Sequence, residues 1–369
     1  GAEVRQAMRV AAFREALDQF EHGLALLASV PPSPECAEIA RLLNVAKLGP
    51  QRNLEGLLSA RLVGALAQAS QAWAGRPEVR PALTILWGQA ERLFATAQYR
   101  QGLEAAERLR EQAMQWGEET FVALAHWRYG TLYHSLGELE QAESHLAWML
   151  DWLTPEGAAD ARAAVGLDLE ASALAFSALD QWFLGYPETA LTRSRRGIAG
   201  ATQRGDAYGQ AFSSAMGCTL LFLLRDAAAL ADRVEQCSSL CRQHGFRLWQ
   251  AYADVFLGRL AAARGEATAG VEQIKSTLAA WQKAGPPLGT DSLILVLADT
   301  CLQLAGPRPP AGDSAAGAGR AALLATGLEA VESRIGPGTV QVGYGYPAEL
   351  YRLRGELLLA QDGPGAAAE

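Results

Sequence analysis

The chain has 369 residues, of which 50% are hydrophobic and 20% charged, a composition that supplies a buried core and excludes a disordered tail. Its formal net charge is −8, with 32 basic residues scattered among 40 acidic ones, so no basic field favours nucleic acid as a partner. The apolar runs are far shorter than the roughly 20 residues of a membrane span. Five cysteines, an odd number without dense disulfide spacing, predict a reducing compartment, the cytoplasm.

The spacing of the apolar residues predicts an all-α chain. They recur every three or four residues almost throughout, and short Gly, Asp or Pro segments separate the helix-length stretches. Within residues 127–142, Gly130, Tyr133, Gly137 and Ala142 have the spacing of a tetratricopeptide helix pair. The small residues let the two helices of the pair approach closely, and a glycine permits the tight turn between them.

The predicted turns follow a regular period. They fall at residues 97, 137, 185, 225, 265 and 305, which are 40 residues apart except for one step of 48. This register predicts an α–α superhelix, a single tetratricopeptide-like solenoid over residues 1–369 with repeats of about 40 residues. We expect at least seven antiparallel helix pairs in it.

Four segments interrupt the repeats. Residues 154–160 and 307–319 hold irregular inserts, and the first of them marks a possible joint in the solenoid. Residues 47–57 predict a distorted or missing turn in the second unit. Residues 336–346 are rich in glycine and predict a loop before the last helix.

Four stretches resemble the C-terminal helical repeats of large bacterial signalling ATPases. They are residues 13–27, 184–191, 243–249 and, most clearly, 348–359. In such proteins a class III nucleotide cyclase, a protein kinase or a transcription-factor domain often precedes a STAND-type nucleotide-binding module, and the tetratricopeptide array follows. The resemblance covers essentially the whole chain. It implies that the chain is the sensor or scaffold arm of a larger protein, in which the array receives a protein or small-molecule signal.

The sequence carries no catalytic signature. The P-loop, Gly-x-Ser-x-Gly and His-Glu-x-x-His motifs do not occur, so we expect neither an enzyme nor a cofactor in this chain. Cys237, Cys241 and His244 share one helix face, with Cys218 on the preceding helix. Without a Cys-x-x-Cys pair these thiols are more typical of small core residues than of metal ligands, and we predict no metal site.

Projection of the repeats onto one another gives a candidate binding surface. In a tetratricopeptide superhelix the first helix of each pair, the A helix, lines the concave groove. Aromatic and polar residues recur there in register around Gly130. The candidate groove residues are Trp87, Glu91, Phe94, Trp127, Thr131, His134, Trp182 and Phe222. Aromatic rows of this kind bind helices or extended peptides, whereas the alternative is that the rings pack between repeats as core.

These patterns predict a non-catalytic module that binds a partner polypeptide, or a regulatory segment of its own parent protein, in the concave groove. Glu91 and Thr131 on the same face indicate that the surface is at least partly wet. The alternative is a sensor of a small metabolite that controls a linked ATPase or transcriptional regulator. Replacement of Trp127 by alanine separates groove from core, because only a buried ring stabilises its own chain.

Overall fold

A computed structural model of the chain describes residues 13–74, 78–284, 289–307, 314–335 and 346–362. All regular elements in these ranges are helices, which confirms the all-α prediction. In chain order the helices are α1 (Phe13–Ser29), α2 (Pro34–Ala46), α3 (Leu48–Glu55), α4 (Ala60–Trp73), α5 (Val79–Ala95), α6 (Tyr99–Trp116), α7 (Glu119–Leu136), α8 (Leu139–Trp152), α9 (Pro155–Val165), α10 (Leu169–Phe183), α11 (Pro187–Gln203), α12 (Ala207–Leu223), α13 (Ala227–His244), α14 (Arg247–Ala263), α15 (Ala267–Ala284), α16 (Thr290–Ala305), α17 (Ser314–Ile335) and α18 (Tyr346–Asp362). None of these helices is both long and apolar enough to cross a membrane.

The helices stack as successive pairs. From α5 to α17 each A helix packs on the following B helix, as α5 does on α6 and α16 on α17. The A helices α5, α7, α10, α12, α14 and α16 also pack on one another in that order. Each unit therefore contacts its neighbours along the chain, which is the architecture of a tetratricopeptide-like solenoid.

The turns between A and B helices lie where the 40-residue period predicts them. Ala97, Gly137, Gly185, Arg225 and Gly265 all have positive φ, between 57° and 99°. This left-handed conformation ends a helix and is free of steric cost only for glycine. The period therefore located two turns, at Ala97 and Arg225, that their own side chains would not have indicated.

An additional helix explains the 48-residue step. The insert at residues 154–160 is not irregular, because α9 begins there with its first turn capped. The Thr154 side chain accepts a hydrogen bond of 3.0 Å from the Gly157 backbone N–H, and Pro155 occupies the first helical position. Gly166, with φ of 68°, ends α9 and leads into α10.

The other two late interruptions are only partly within the described ranges. Residues 314–319 of the second insert form the start of α17, and residues 308–313 lie outside the ranges. The predicted loop at 336–346 also lies outside them, except for Tyr346, which begins α18.

Residues 47–57 form a short helix in place of the distorted turn that we expected. In this helix, α3, the polar side chains of Gln51, Arg52 and Asn53 are buried. Arg52 Nη2 and Asn53 Nδ2 donate to the Gly166 carbonyl oxygen at 3.2 and 2.7 Å, and α3 also contacts α14. These long-range bonds hold the N-terminal segment against the A helices of the solenoid.

The small residues of the best-matched unit act as the sequence predicts. A Cβ atom added to Gly130 would lie 2.5 Å from Leu146 Cδ2 on the paired helix, and Ala142 is fully buried between the two helices. The close approach of α7 and α8 therefore depends on these positions.

Candidate functional site

The first members of the predicted aromatic row surround a buried guanidinium group. The Arg128 Cζ atom lies 4.7 Å from the ring centroid of Trp87, 4.8 Å from that of Phe94 and 4.6 Å from that of Trp127. The three rings are 3–5% exposed, and Arg128 is 1% exposed. The rings therefore stabilise a cation within the core and do not form an open groove.

Glu91 is the counter-ion of this cluster. Its Oε1 atom lies 3.1 Å from Arg128 Nη2 and 2.9 Å from Arg52 Nη1, so one carboxylate neutralises charges from α7 and α3. The expectation of a wet surface is wrong for Glu91 and Thr131, which are 8% and 0% exposed. Glu91 is buried because two guanidinium groups replace its water, and the Thr131 hydroxyl donates to the Arg128 carbonyl oxygen at 3.0 Å.

The remaining predicted residues lie apart from this cluster. His134 is fully buried, and its Nδ1 atom pairs with Asp180 of α10. Phe222 is buried, and its ring centroid lies 4.9 Å from the Arg259 Cζ atom. Trp182 is half-buried and, with Phe222, borders a separate cavity of about 270 Å³. Seven of the eight residues are buried, and a role of the set in partner binding stays a prediction.

A different aromatic row runs along the A helices. From Trp127 it continues to Phe176 on α10 (6.2 Å between ring centroids), Phe212 on α12 (5.9 Å) and Trp249 on α14 (4.9 Å). Tyr252 follows at 6.3 Å. These separations are those of favourable edge-to-face or tilted aromatic contacts. The row links the Arg128 cluster to a cavity on the same side of the solenoid.

This cavity, the aromatic pocket, has a volume of about 360 Å³. Its walls come from α10, α12, α14, α15, α16 and α18, and the segment Glu55–Ala60, which connects α3 to α4, lines one side. Its aromatic residues are Phe176, Phe212, Trp249, Tyr252, Trp281 and Tyr346. A concave, mostly apolar cavity of this size is typical of a binding site for a small ligand or for a side chain of a partner.

Three hydroxyl groups at the aromatic pocket bind one another. Ser292 Oγ donates to the Gly289 carbonyl oxygen at 2.8 Å and lies 2.7 Å from the Tyr252 hydroxyl. Because a hydroxyl has one proton, Tyr252 donates to Ser292 and accepts from Thr219 Oγ1, also at 2.7 Å. Burial raises the pKa of Tyr252 to about 12, so this hydroxyl stays neutral at neutral pH. The walls therefore suit an uncharged, apolar occupant.

The segment Glu55–Ala60 closes one side of the aromatic pocket. Glu55 Oε1 accepts a hydrogen bond of 2.7 Å from Arg61 Nη1, and Glu55 Oε2 accepts one of 3.2 Å from Ser59 Oγ. Gly56, with φ of 90°, ends α3 and turns the chain along the pocket. The N-terminal segment thus supplies part of the wall, and its own charges are paired with each other.

The sequence contained a signal for this pocket that the projection missed. The step of 48 residues moves Trp127 to position 175, beside Phe176, whereas the row was continued from His134 to Trp182 and Phe222. Those positions lie about two turns later on α10 and α12. Tyr252 lies one 40-residue period after Phe212, whereas Trp281 had no such signal because it reaches the pocket from the B helix α15.

Comparisons with known proteins place the chain by its fold. No family model and no curated protein matches it. Among solved structures, the crystal structure of a Rap protein complexed with Competence and Sporulation Factor matches with a TM-score of 0.59 at 13% sequence identity. The match covers 96% of this chain and 95% of that chain. It supports the all-α, tetratricopeptide-like helical-repeat fold.

Proposed function

We propose that this chain is a non-catalytic interaction module, a single solenoid over residues 1–369, that holds a partner polypeptide by an apolar side chain in the aromatic pocket. The observation that carries the proposal is the pocket itself, with a volume of about 360 Å³ and aromatic walls. Rigid aromatic walls provide a large contact area at a low cost in conformational entropy.

The polar groups of the pocket limit the chemical class of a molecule that can occupy it. Tyr252, Thr219 and Ser292 satisfy one another, so a charged group would lose its water without gaining a partner. The described lining holds one carboxylate, Glu55, which accepts from Ser59 and pairs with Arg61, and it holds no second carboxylate and no histidine with which Glu55 could share acid–base chemistry. Binding without catalysis is the function that this lining supports.

Two observations favour a polypeptide as the occupant. Asn53 Nδ2 and Arg52 Nη2 of α3 donate to one backbone carbonyl, that of Gly166 at the end of α9, so the solenoid already binds another part of its own chain through a backbone carbonyl. The similar Rap protein was solved as a complex with Competence and Sporulation Factor. A regulatory segment of the parent protein is one form of such a partner.

A small-metabolite sensor is the second candidate. Walls from six helices surround the pocket, and its volume lies within the range of about 300–1,000 Å³ of small-ligand sites. An uncharged apolar metabolite fits the same walls. In both cases we assign the chain to a larger bacterial signalling protein of the STAND ATPase type in the cytoplasm, on the resemblance of residues 348–359 and on the cysteine content.

Filling the pocket tests the proposal. Met216 lines it and is half-buried, so Met216→Trp occupies the cavity, whereas Met114→Trp on α6 adds the same ring at a position that is 57% exposed. Peptides selected from a random heptapeptide library on the native chain are measured against both variants. A panel of uncharged metabolites is screened by thermal shift on the same three proteins.

We expect apolar peptides whose affinity falls at least about tenfold in Met216→Trp and is unchanged in Met114→Trp, which corresponds to about 1.4 kcal/mol of binding free energy. Peptides that bind Met216→Trp as well as the native chain would refute the pocket as their site. If metabolites alone bind, and Met216→Trp abolishes their binding, the sensor replaces the polypeptide-binding module.

A further inference from the structure

Two histidines meet on the outer part of the α7–α8 pair, away from the aromatic pocket. His126 of α7 and His145 of α8 are both half-buried, and their Nδ1 atoms lie 3.1 Å apart. One ring donates the proton of its Nδ1 to the other. The two Nδ1 atoms, each of which can bind a metal ion, therefore face each other at close range.

We propose that His126 and His145 form a binding site for one divalent transition-metal ion of the Cu²⁺, Ni²⁺ or Zn²⁺ class, with water completing the coordination. Imidazole nitrogen is a preferred ligand of all three ions. The site is independent of the proposed pocket function, because none of the residues that line the pocket belongs to it.

The separation of the two nitrogens fits a shared ion. Metal–imidazole bonds are about 2.0–2.1 Å long, so two such nitrogens on one ion are about 2.9 Å apart at a right angle and about 3.4 Å apart at the tetrahedral angle. The observed 3.1 Å lies between these values. Binding requires that the proton on Nδ1 of one ring move to its Nε2, since a neutral imidazole carries one proton on either nitrogen, and that both rings tilt toward the ion.

Aromatic neighbours hold both rings in place. His126 stacks on Trp148 with 3.8 Å between ring centroids, and His145 stacks on Tyr129 at 4.7 Å. The Tyr129 hydroxyl in turn donates to the Glu107 carboxylate. Because neighbouring side chains already hold the rings, binding of an ion costs little conformational entropy of the two histidines.

The charges around the pair are balanced. Glu107 also pairs with Arg110, so the acidic and the basic group nearest the site largely cancel.

Copper titration of the full chain, purified without a polyhistidine tag, tests the site. Isothermal titration with CuCl₂ measures affinity and stoichiometry for the native chain, His126→Ala, His145→Ala and the control His22→Ala, whose ring is exposed on α1. Even the loss of an outer-shell partner weakens metal affinity by about 10–100-fold. We therefore expect each of the two site variants to bind at least about tenfold more weakly, and the control to bind like the native chain.

Pulsed electron paramagnetic resonance of the native chain with one equivalent of Cu²⁺ provides a second measurement that does not depend on how the variants fold. Modulation from the remote ring nitrogens counts the imidazoles on the ion, and we expect two. One imidazole or none overturns the proposal. Unchanged affinity in either site variant, or an equal loss in His22→Ala, overturns it as well.

Discussion

Removal of one charge, by Glu91→Gln, tests the role of the buried Arg128 cluster. The substitution keeps the shape of the side chain but removes the anion that lies 2.9 Å from Arg52 Nη1 and 3.1 Å from Arg128 Nη2. The side chains of Arg52 and Arg128 are 5% and 1% exposed, so bulk solvent does not reach the two guanidinium groups that lose their partner. Burial already lowers the pKa of Arg128 to about 10 in the native protein.

The expected cost follows from this burial. Breaking a buried ion pair by removing one partner costs about 3–5 kcal/mol, because a charge is left uncompensated. Trp87, Phe94 and Trp127 keep part of the stabilisation of Arg128 through cation–π attraction, worth about 2 kcal/mol in a desolvated site. We therefore expect a loss near the lower end of that range, about 3 kcal/mol.

Urea denaturation followed by both circular dichroism and tryptophan fluorescence measures this loss, because a solenoid need not unfold in one step. Glu111→Gln on α6 is the matched control, since Glu111 is an exposed carboxylate. Tryptic cleavage after Lys47 and Arg52 reports whether α3 leaves the solenoid. A loss below about 1 kcal/mol, equal to that of Glu111→Gln, would show that the cluster does not stabilise the fold.

Three further substitutions test the packing and the buried charges. Trp127→Ala, at a ring that is 5% exposed, should cost about 3–5 kcal/mol in urea denaturation; loss of partner binding at unchanged stability would instead restore the groove interpretation. Burial and then a neighbouring carboxylate raise the pKa of Asp206 from its ordinary value of 3.8 to about 7. The proton on Asp206 therefore stabilises the fold at low pH, and this stabilisation is lost as the pH rises from 3.8 through 7. Asp206→Asn should therefore gain stability relative to the native chain between pH 5 and pH 8, and a difference that is constant with pH would contradict the assignment. Gly258→Ala should destabilise by about 1–3 kcal/mol, because the new Cβ would lie 2.8 Å from the Gly270 carbonyl oxygen, whereas Gly317→Ala, with no atom within 4 Å, should not; equal melting temperatures of the two variants would refute the close contact of α14 and α15.

The sequence predicted the periodic features of the fold because those depend on local chemistry. The turns at Gly137, Gly185 and Gly265 need a left-handed backbone, which selects glycine wherever the A helix ends. Once these glycines define the period, a step of 40 residues from Gly137 and from Gly185 predicts the turns at Ala97 and Arg225. The helical pattern likewise needs only the spacing of apolar side chains over one or two turns.

The binding surface could not be predicted in the same way. Each residue along a helix rotates the side chain by about 100°, so an uncertainty of one or two positions in the projected register decides whether a ring faces a groove or the core. Glu91 looked like a solvated residue because its partner Arg52 is 39 positions away on α3. The bond from Arg52 to Gly166 spans 114 positions, a separation that no local pattern reports. The aromatic pocket is a product of such long-range contacts.

The position of Glu55–Ala60 links the aromatic pocket to the stability of α3. This segment lines the pocket and directly follows α3 in the chain. Arg52 holds α3 in place by donating hydrogen bonds to the Glu91 carboxylate and to the Gly166 carbonyl oxygen. An occupant that contacts both the segment and α14 binds only the arrangement in which α3 is docked, so occupancy and docking must favour each other by the same free energy. Glu91→Gln weakens docking without touching the pocket, and it should lower the affinity of any peptide that Met216→Trp excludes. Conversely, such a peptide should slow tryptic cleavage after Arg52 in the native chain. Equal affinity of the peptide for Glu91→Gln and for the native chain would show that the pocket forms without the docked segment, and the wall at Glu55–Ala60 would then contribute nothing to binding.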